Sequence, residues 1–101
     1  MVLIIVTSIF PSQSSNEVKQ KYNEIQEKHP LPPFIKQKLS GLRWIKEGMK
    51  GMAIYKVKRN KIAEALNYIY RYELEYGEIE GYSNDIETLL EMEDLAGIIS
   101  P

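Results

Sequence analysis

The sequence contains no cysteine and a single histidine in 101 residues. The first absence removes disulfides, a thiolate nucleophile and Cys-based zinc or iron–sulfur centres together. The second removes any multi-histidine metal site, and the acidic residues do not fall at ligand spacing. Long hydrophobic runs are missing too. Met1-Val-Leu-Ile-Ile-Val6 is followed at once by Thr7 and Ser8, has no basic leader, and is too short for a signal core or a membrane span. Gly48-Met-Lys-Gly51 lacks the G-x-x-x-x-G-K pattern of a phosphate cradle. These absences together lead us to expect a cytoplasmic chain, off the membrane and without metal or other cofactor.

What is present is ordinary globular material, 44% hydrophobic and 27% charged, in a length that suits one domain over 1–101 with a large surface for its volume. Net charge is −1, but the signs are segregated. Up to Lys61 there are 12 Lys or Arg and 4 acidic residues, and from Ile62 onward 1 basic and 10 acidic, giving +8 and −9. A basic patch for a polyanion is one reading of that split. Complementarity within the fold or between subunits is the plainer one, because the basic residues alternate with apolar ones instead of clustering.

Val2 to Ile9 opens as an apolar strand. Pro11, then Ser14 with Glu17 three positions on, predicts a capping box and a helix from about Ser15, with Val18, Tyr22, Ile25 and His29 as its apolar stripe. Pro30, Pro32 and Pro33 end it. Phe34 to Glu47 reads as extended, with a bend or bulge at Ser40-Gly41; Gly48 to Gly51 reads as the turn of a hairpin, and Met52 to Lys58 as its second strand. Asn60 is the expected cap of a second helix, in which Ile62, Ala65, Leu66, Ile69, Tyr72 and Tyr76 line one side until Gly77. Tyr68, Tyr70 and Leu74 widen its apolar arc beyond what one sheet contact needs. Gly81 to Leu90 alternates as a last strand, and the short tail over about 91–101 reads, from Glu91 to Ile99, either as a terminal helix or as a docking tail.

A β-α-β-β-α-β order predicts an α+β, ferredoxin-like fold, with both helices on one face of a four-stranded antiparallel sheet of order 4-1-3-2. The central strands 1 and 3 are then apolar on both faces: Leu3, Ile5 and Ile9 oppose Val2, Ile4 and Val6, and Met52 and Ile54 oppose Ala53, Tyr55 and Val57. Helices cover one face only, so the other marks an interface. Burying even about 600 Å² of apolar surface per subunit is worth on the order of 15 kcal/mol gross, before association costs. A sheet-to-sheet homodimer through the open face is the expected partner.

The opening strand VLIIVTSI, the strand AIYKVK running into a tyrosine-rich helix, and the closing GYSNDIETLL give the chain a pattern that resembles the dimeric α/β-barrel superfamily of small ferredoxin-like proteins. That superfamily includes the antibiotic-biosynthesis-monooxygenase-like and YCII-like families. The resemblance spans nearly the whole chain and implies a two-subunit barrel. Relatives include cofactor-free oxygenases, haem-degrading enzymes, lyases and isomerases. No His-Asp pair of the YCII type lies near the first strand, and the Asn/Trp/His set of haem-degrading relatives is incomplete. Fold alone does not assign chemistry.

His29, the sole histidine, is the candidate general base or axial ligand; continuing an apolar stripe at a helix C-terminus, it is equally a structural residue complementing the helix dipole. Arg43 and Trp44 fall on opposite faces of strand 2, and in a dimeric barrel an aromatic at such a place lines a pocket; otherwise it packs. Tyr55, Tyr68 and Tyr82, with Tyr70 and Tyr72, supply phenols around an apolar ligand, or serve as amphipathic packing. Glu73 with Glu80, and Asp85 with Glu87, read as solvated faces. RNA-recognition modules share the strand order but need exposed aromatics on the central strands, where strand 3 offers one tyrosine and strand 1 none; this argues against nucleic acid. The expected function is a homodimeric protein binding a small apolar or aromatic molecule. The alternatives are a cofactor-free monooxygenase-like or isomerase-like enzyme, and a structural or regulatory interaction module.

Overall fold

A computed structural model describes residues 2–90; the expected tail, 91–101, lies outside the described residues. The elements are β1 (Val2–Phe10), α1 (Ser15–Lys28), β2 (Ile35–Ile45), β3 (Gly48–Val57), α2 (Ile62–Glu75) and β4 (Ser83–Leu90). The four strands form one antiparallel sheet of order β2-β3-β1-β4, the expected ferredoxin-like arrangement, with the sheet open rather than closed.

Register explains which residues meet the helices. β1 pairs Val2 with Val57, Ile4 with Tyr55, Val6 with Ala53 and Phe10 with Met49. Directly opposed residues share a face, and Val2, Ile4, Val6 and Phe10 are all buried. Ile4, Val6, Ile35, Val57, Ala65 and Ile69 make the central core, and Ile25, Tyr72, Tyr76 and Ile79 make a second cluster where the helices meet. The alternate residues of the central strands, Leu3, Ile5, Ile54 and Met52, look away from the helices and stay partly exposed.

Several local expectations are corrected. The hairpin turns at Lys46-Glu47, not over Gly48–Gly51, which belong to β3. A two-residue loop needs an unusual backbone conformation beside it, and Gly48 supplies it with φ +136°, where an added Cβ would sit 2.5 Å from the Phe10 carbonyl oxygen. The bulge falls between Gln37 and Leu39 instead of at Ser40-Gly41. Neither helix carries the expected side-chain cap. Each begins as a 3₁₀ turn, Ser12–Ser14 and Arg59–Lys61, that continues into the helix. Asn60 lies inside the second turn. Ser14 is buried, with its hydroxyl 3.5 Å from the Glu80 carbonyl, while Ser15 donates to the Ser12 carbonyl at 2.6 Å. Gly77 sits within a 3₁₀ turn, Tyr76–Glu78, that extends α2 by three residues.

β2 is an edge strand of the sheet and is exposed along most of its length. Overall extents of 52 × 32 × 18 Å and a radius of gyration of 14.9 Å describe an elongated body, against about 13 Å for a compact domain of this length. Leu39, Leu42 and Trp44 on this edge strand are 53%, 63% and 74% exposed.

Candidate functional site

Between the helices and the sheet, the paired side chains of β1 and β3 narrow at Ser8–Gly51 and enlarge again at Phe10–Met49. The β1–β3 pairs run from Val2–Val57 through Val6–Ala53 to Ser8–Gly51. A Cβ on Gly51 would lie 2.7 Å from the Ser8 hydroxyl and 3.1 Å from a Leu42 methyl, so a larger residue there would push these two side-chain ends aside. The small residues leave a cavity of about 600 Å³ under the N-terminal half of α1, open to solvent at its rim. Val6, Phe10, Val18 and Ala53 give it apolar walls, while Tyr22, Tyr55, Tyr76, Tyr82 and Glu73 bring polar atoms. The same geometry accounts for the α1 stripe. Ile25 is buried, but Val18 and Tyr22 look into the cavity and remain partly exposed.

One wall is a ring stack. Tyr82 lies against Phe10 with centroids 6.0 Å apart and planes at 16°, and against Tyr76 at 4.9 Å and 10°. The Tyr82 hydroxyl donates to a Glu73 carboxylate oxygen at 3.0 Å. Glu73 is half-buried and belongs to the sheet-facing side of α2, at i+4 from Ile69 and i+8 from Ala65, both buried.

Electrostatics follow from this burial. Desolvation holds the Glu73 carboxyl above its ordinary range, with the Tyr82 hydrogen bond pulling the other way. Burial, then the Glu73 charge and Tyr22, push the Tyr55 phenol up to about 12. Burial and the Glu73 charge likewise raise Tyr76 and Tyr82. These phenols are therefore neutral donors at neutral pH.

The sequence candidates divide among separate places. Tyr55 and Tyr82 line the cavity. His29 and Tyr68 border a different depression of about 500 Å³, open to solvent to the same degree, with Arg71 and Tyr72. There Tyr68 donates to the Pro30 carbonyl at 3.1 Å, and Tyr72 donates to the His29 carbonyl, so both phenols anchor the proline loop to α2. Arg43 pairs with Lys50 on the open face, and Trp44 pairs with Met49 on the helix face near the hairpin turn. Trp44 and Arg43 are not part of the cavity lining.

Glu73, read in sequence as a solvated residue, is the group that sequence reasoning missed. The 65-69-73 spacing was the available signal, since it continues the buried stripe of α2. No cluster of three or more metal-ligating side chains occurs among the described residues. No helix there is long and apolar enough to cross a membrane.

No family model matches the sequence, and no curated protein matches it closely. Solved structures do match the fold. A Caulobacter crescentus protein provisionally named an antibiotic biosynthesis monooxygenase superposes with a TM-score of 0.56 at 15% identity, covering 89% of this chain and 91% of that one. A de novo designed protein, Foldit4, gives a TM-score of 0.56 at 10% identity over 89% of this chain and 96% of its own. That a designed protein matches as well as a natural one underlines that the likeness is one of fold.

Proposed function

We propose that the chain is a homodimeric small-molecule-binding protein, with two copies meeting through the open sheet face and each holding an apolar or aromatic ligand in its own cavity. The cavity carries the reading. Its volume of about 600 Å³ lies within the roughly 300–1,000 Å³ usual for small-molecule sites, which pair apolar walls with a few placed polar groups. A ligand that prefers the folded state must raise apparent stability. Screening a broad metabolite panel by thermal shift should therefore find compounds that stabilise the protein, and that lose their effect in Ala53→Leu, which fills the floor. A panel without one stabilising compound would sink the ligand-binding reading.

Self-association is supported by the pattern on the open face. Leu3, Ile5, Met52 and Ile54 form its centre, with Leu39 and Leu89 at either side, and the register sets Asp85 and Glu87 along β4 opposite Lys36, Lys50 and Arg43 on the β2–β3 side. A second copy related by a two-fold axis parallel to the strands lays its β2 over this β4, so basic residues face acidic ones. An axis across the strands would stack β2 on β2 and oppose like charges. The segregated charge of the sequence thus acquires a use. Sedimentation should give a dimer at micromolar concentration, and Ile54→Glu a monomer. Asp85→Lys with Glu87→Lys should weaken the dimer, and Lys36→Glu with Arg43→Glu should restore it. A wild-type monomer would remove the assembly from the proposal.

A second reading, an oxygenase-like or isomerase-like enzyme working in the same cavity without a cofactor, is favoured by Glu73. A desolvated carboxyl beside an apolar cavity is the kind of group that moves protons. Recovery of bound ligand unchanged after prolonged incubation would argue for binding alone.

A further inference from the structure

A half-buried carboxyl with a single hydrogen-bond partner is an unusual choice for the wall of an apolar cavity. Charge removed from water needs a compensating charge or several donors. Glu73 receives the Tyr82 hydroxyl at 3.0 Å, and no ion pair reaches it among the described residues. The groups that face it from the packed elements are phenols: Tyr55 from β3, Tyr76 after α2, Tyr82 before β4 and Tyr22 from α1. Ser8 of β1 adds a hydroxyl beside Tyr82. Among the described residues the one cation in the lining is Lys19, a solvent-exposed residue of α1.

Such a wall is mismatched to an anion, because it would face the Glu73 carboxylate, which has no ion-pair partner among the described residues. It is matched to a cation. Aromatic faces attract an ammonium within about 6 Å of the ring centroid, tyrosine and tryptophan being effective partners, and a carboxylate beside them supplies the counter-charge. The apolar floor then accepts a hydrocarbon body. We propose that the cavity takes an organic cation, a protonated or quaternary amine on an apolar or aromatic body, with Glu73 facing the charge and the Tyr22 and Tyr55 rings beside it.

This assignment rests on the ligand-binding reading and names its ligand class. It also implies a proton linkage: a bound cation favours ionised Glu73, so binding strengthens as pH rises through the titration of that carboxyl. The remaining facing groups are three phenols held neutral by burial, the Tyr22 phenol, and the Lys19 amine at the rim.

The test uses the full chain and three probes of one shape: 3-phenylpropylamine, 3-phenylpropanol and 3-phenylpropionate, titrated calorimetrically up to millimolar concentration. The amine should bind at least about ten-fold more tightly than the alcohol, the effect of roughly 1.4 kcal/mol, and the carboxylate should not bind. Glu73→Gln, which keeps the shape, should bring the amine down to the level of the alcohol and abolish the rise of amine affinity with pH. Glu80→Gln should leave both unchanged. Equal binding of amine and alcohol to the wild type overturns the cation assignment while leaving ligand binding intact. Tighter binding of the carboxylate overturns it in favour of an anion held at Lys19. No binding of any probe overturns it as well, and the metabolite panel then decides the ligand-binding reading separately.

Discussion

The space between the sheet and the helices has two ends built from the same strands and the same helices, one packed and one hollow. At the packed end Ile4, Val57, Ala65 and Ile69 are each at most 1% exposed. Toward the other end, Ser8, Gly51 and Ala53 take the corresponding strand positions, Glu73 takes the next turn of α2, and a cavity of about 600 Å³ remains. The same paired strands run through both, and the small side chains at these positions account for the opening, while Phe10 and Met49 beyond them are buried again. Close-packed interiors respond to single methylenes, and three small residues in register are enough to open a site.

The largest effect expected from this contrast lies at the packed end. Ile69→Ala should cost about 2–5 kcal/mol, since the lost transfer energy is joined by a cavity that the surrounding core closes only in part. That is a large share of the stability of a domain this small. Urea denaturation followed by far-UV circular dichroism would measure it. A cost under 1 kcal/mol would mean that the packed end is not close-packed and that the comparison fails.

Overpacking sharpens the same distinction with a smaller effect. Ala65→Leu inserts three carbons where nothing is open, which should cost about 1–3 kcal/mol or more. Ala53→Leu inserts the same atoms into the cavity end and should be close to neutral, because the new side chain fills empty volume instead of displacing neighbours. The two midpoints, measured side by side, decide the point. Equal costs would show the cavity end to be as tightly packed as the other.

Much of this architecture is legible in the sequence because burial dictates it. The two-faced apolar strands fix β1 and β3 as central, and the proline loop and the periodicity of α2 fix the order of elements. The misread details are those in which one residue type serves two ends. Gly51 reads as a turn residue, but its lack of a side chain serves the cavity floor beside Ser8. Ser14 reads as a cap, but its hydroxyl is turned toward Glu80 in a distant segment. Trp44, on the edge strand, is 74% exposed and outside the cavity lining of a single subunit. Tyrosines cannot be sorted by pattern at all: Tyr55 and Tyr82 line the cavity, whereas Tyr68 and Tyr72 hydrogen-bond the proline loop. Local sequence carries periodicity, but not which long-range neighbour a polar tip will meet.

The smallest effect concerns Glu73, and its sign distinguishes a site residue from a structural one. Burial raises its folded-state value above the ordinary 4.5, so the folded chain holds its proton more tightly than the unfolded chain does. The stability tied to that proton is fully present below the unfolded value and is lost as pH rises through the folded one. At neutral pH the ionised carboxyl is therefore a cost, and Glu73→Gln should raise Tm by a few degrees, on the order expected for a modest change in a domain of about 100 residues. At pH 4 the gain should vanish, since both chains then carry a neutral group there. Tyr82→Phe should widen the window: the lost hydrogen bond no longer favours the carboxylate, so the fall in stability still begins at the unfolded value but runs to higher pH and ends deeper. Scanning calorimetry of the three proteins from pH 4 to pH 8 tests this directly. If Glu73→Gln were less stable than wild type at pH 7, the carboxylate would be stabilising the empty fold, and the contrast between a packed end built for stability and a hollow end held open against it would be lost.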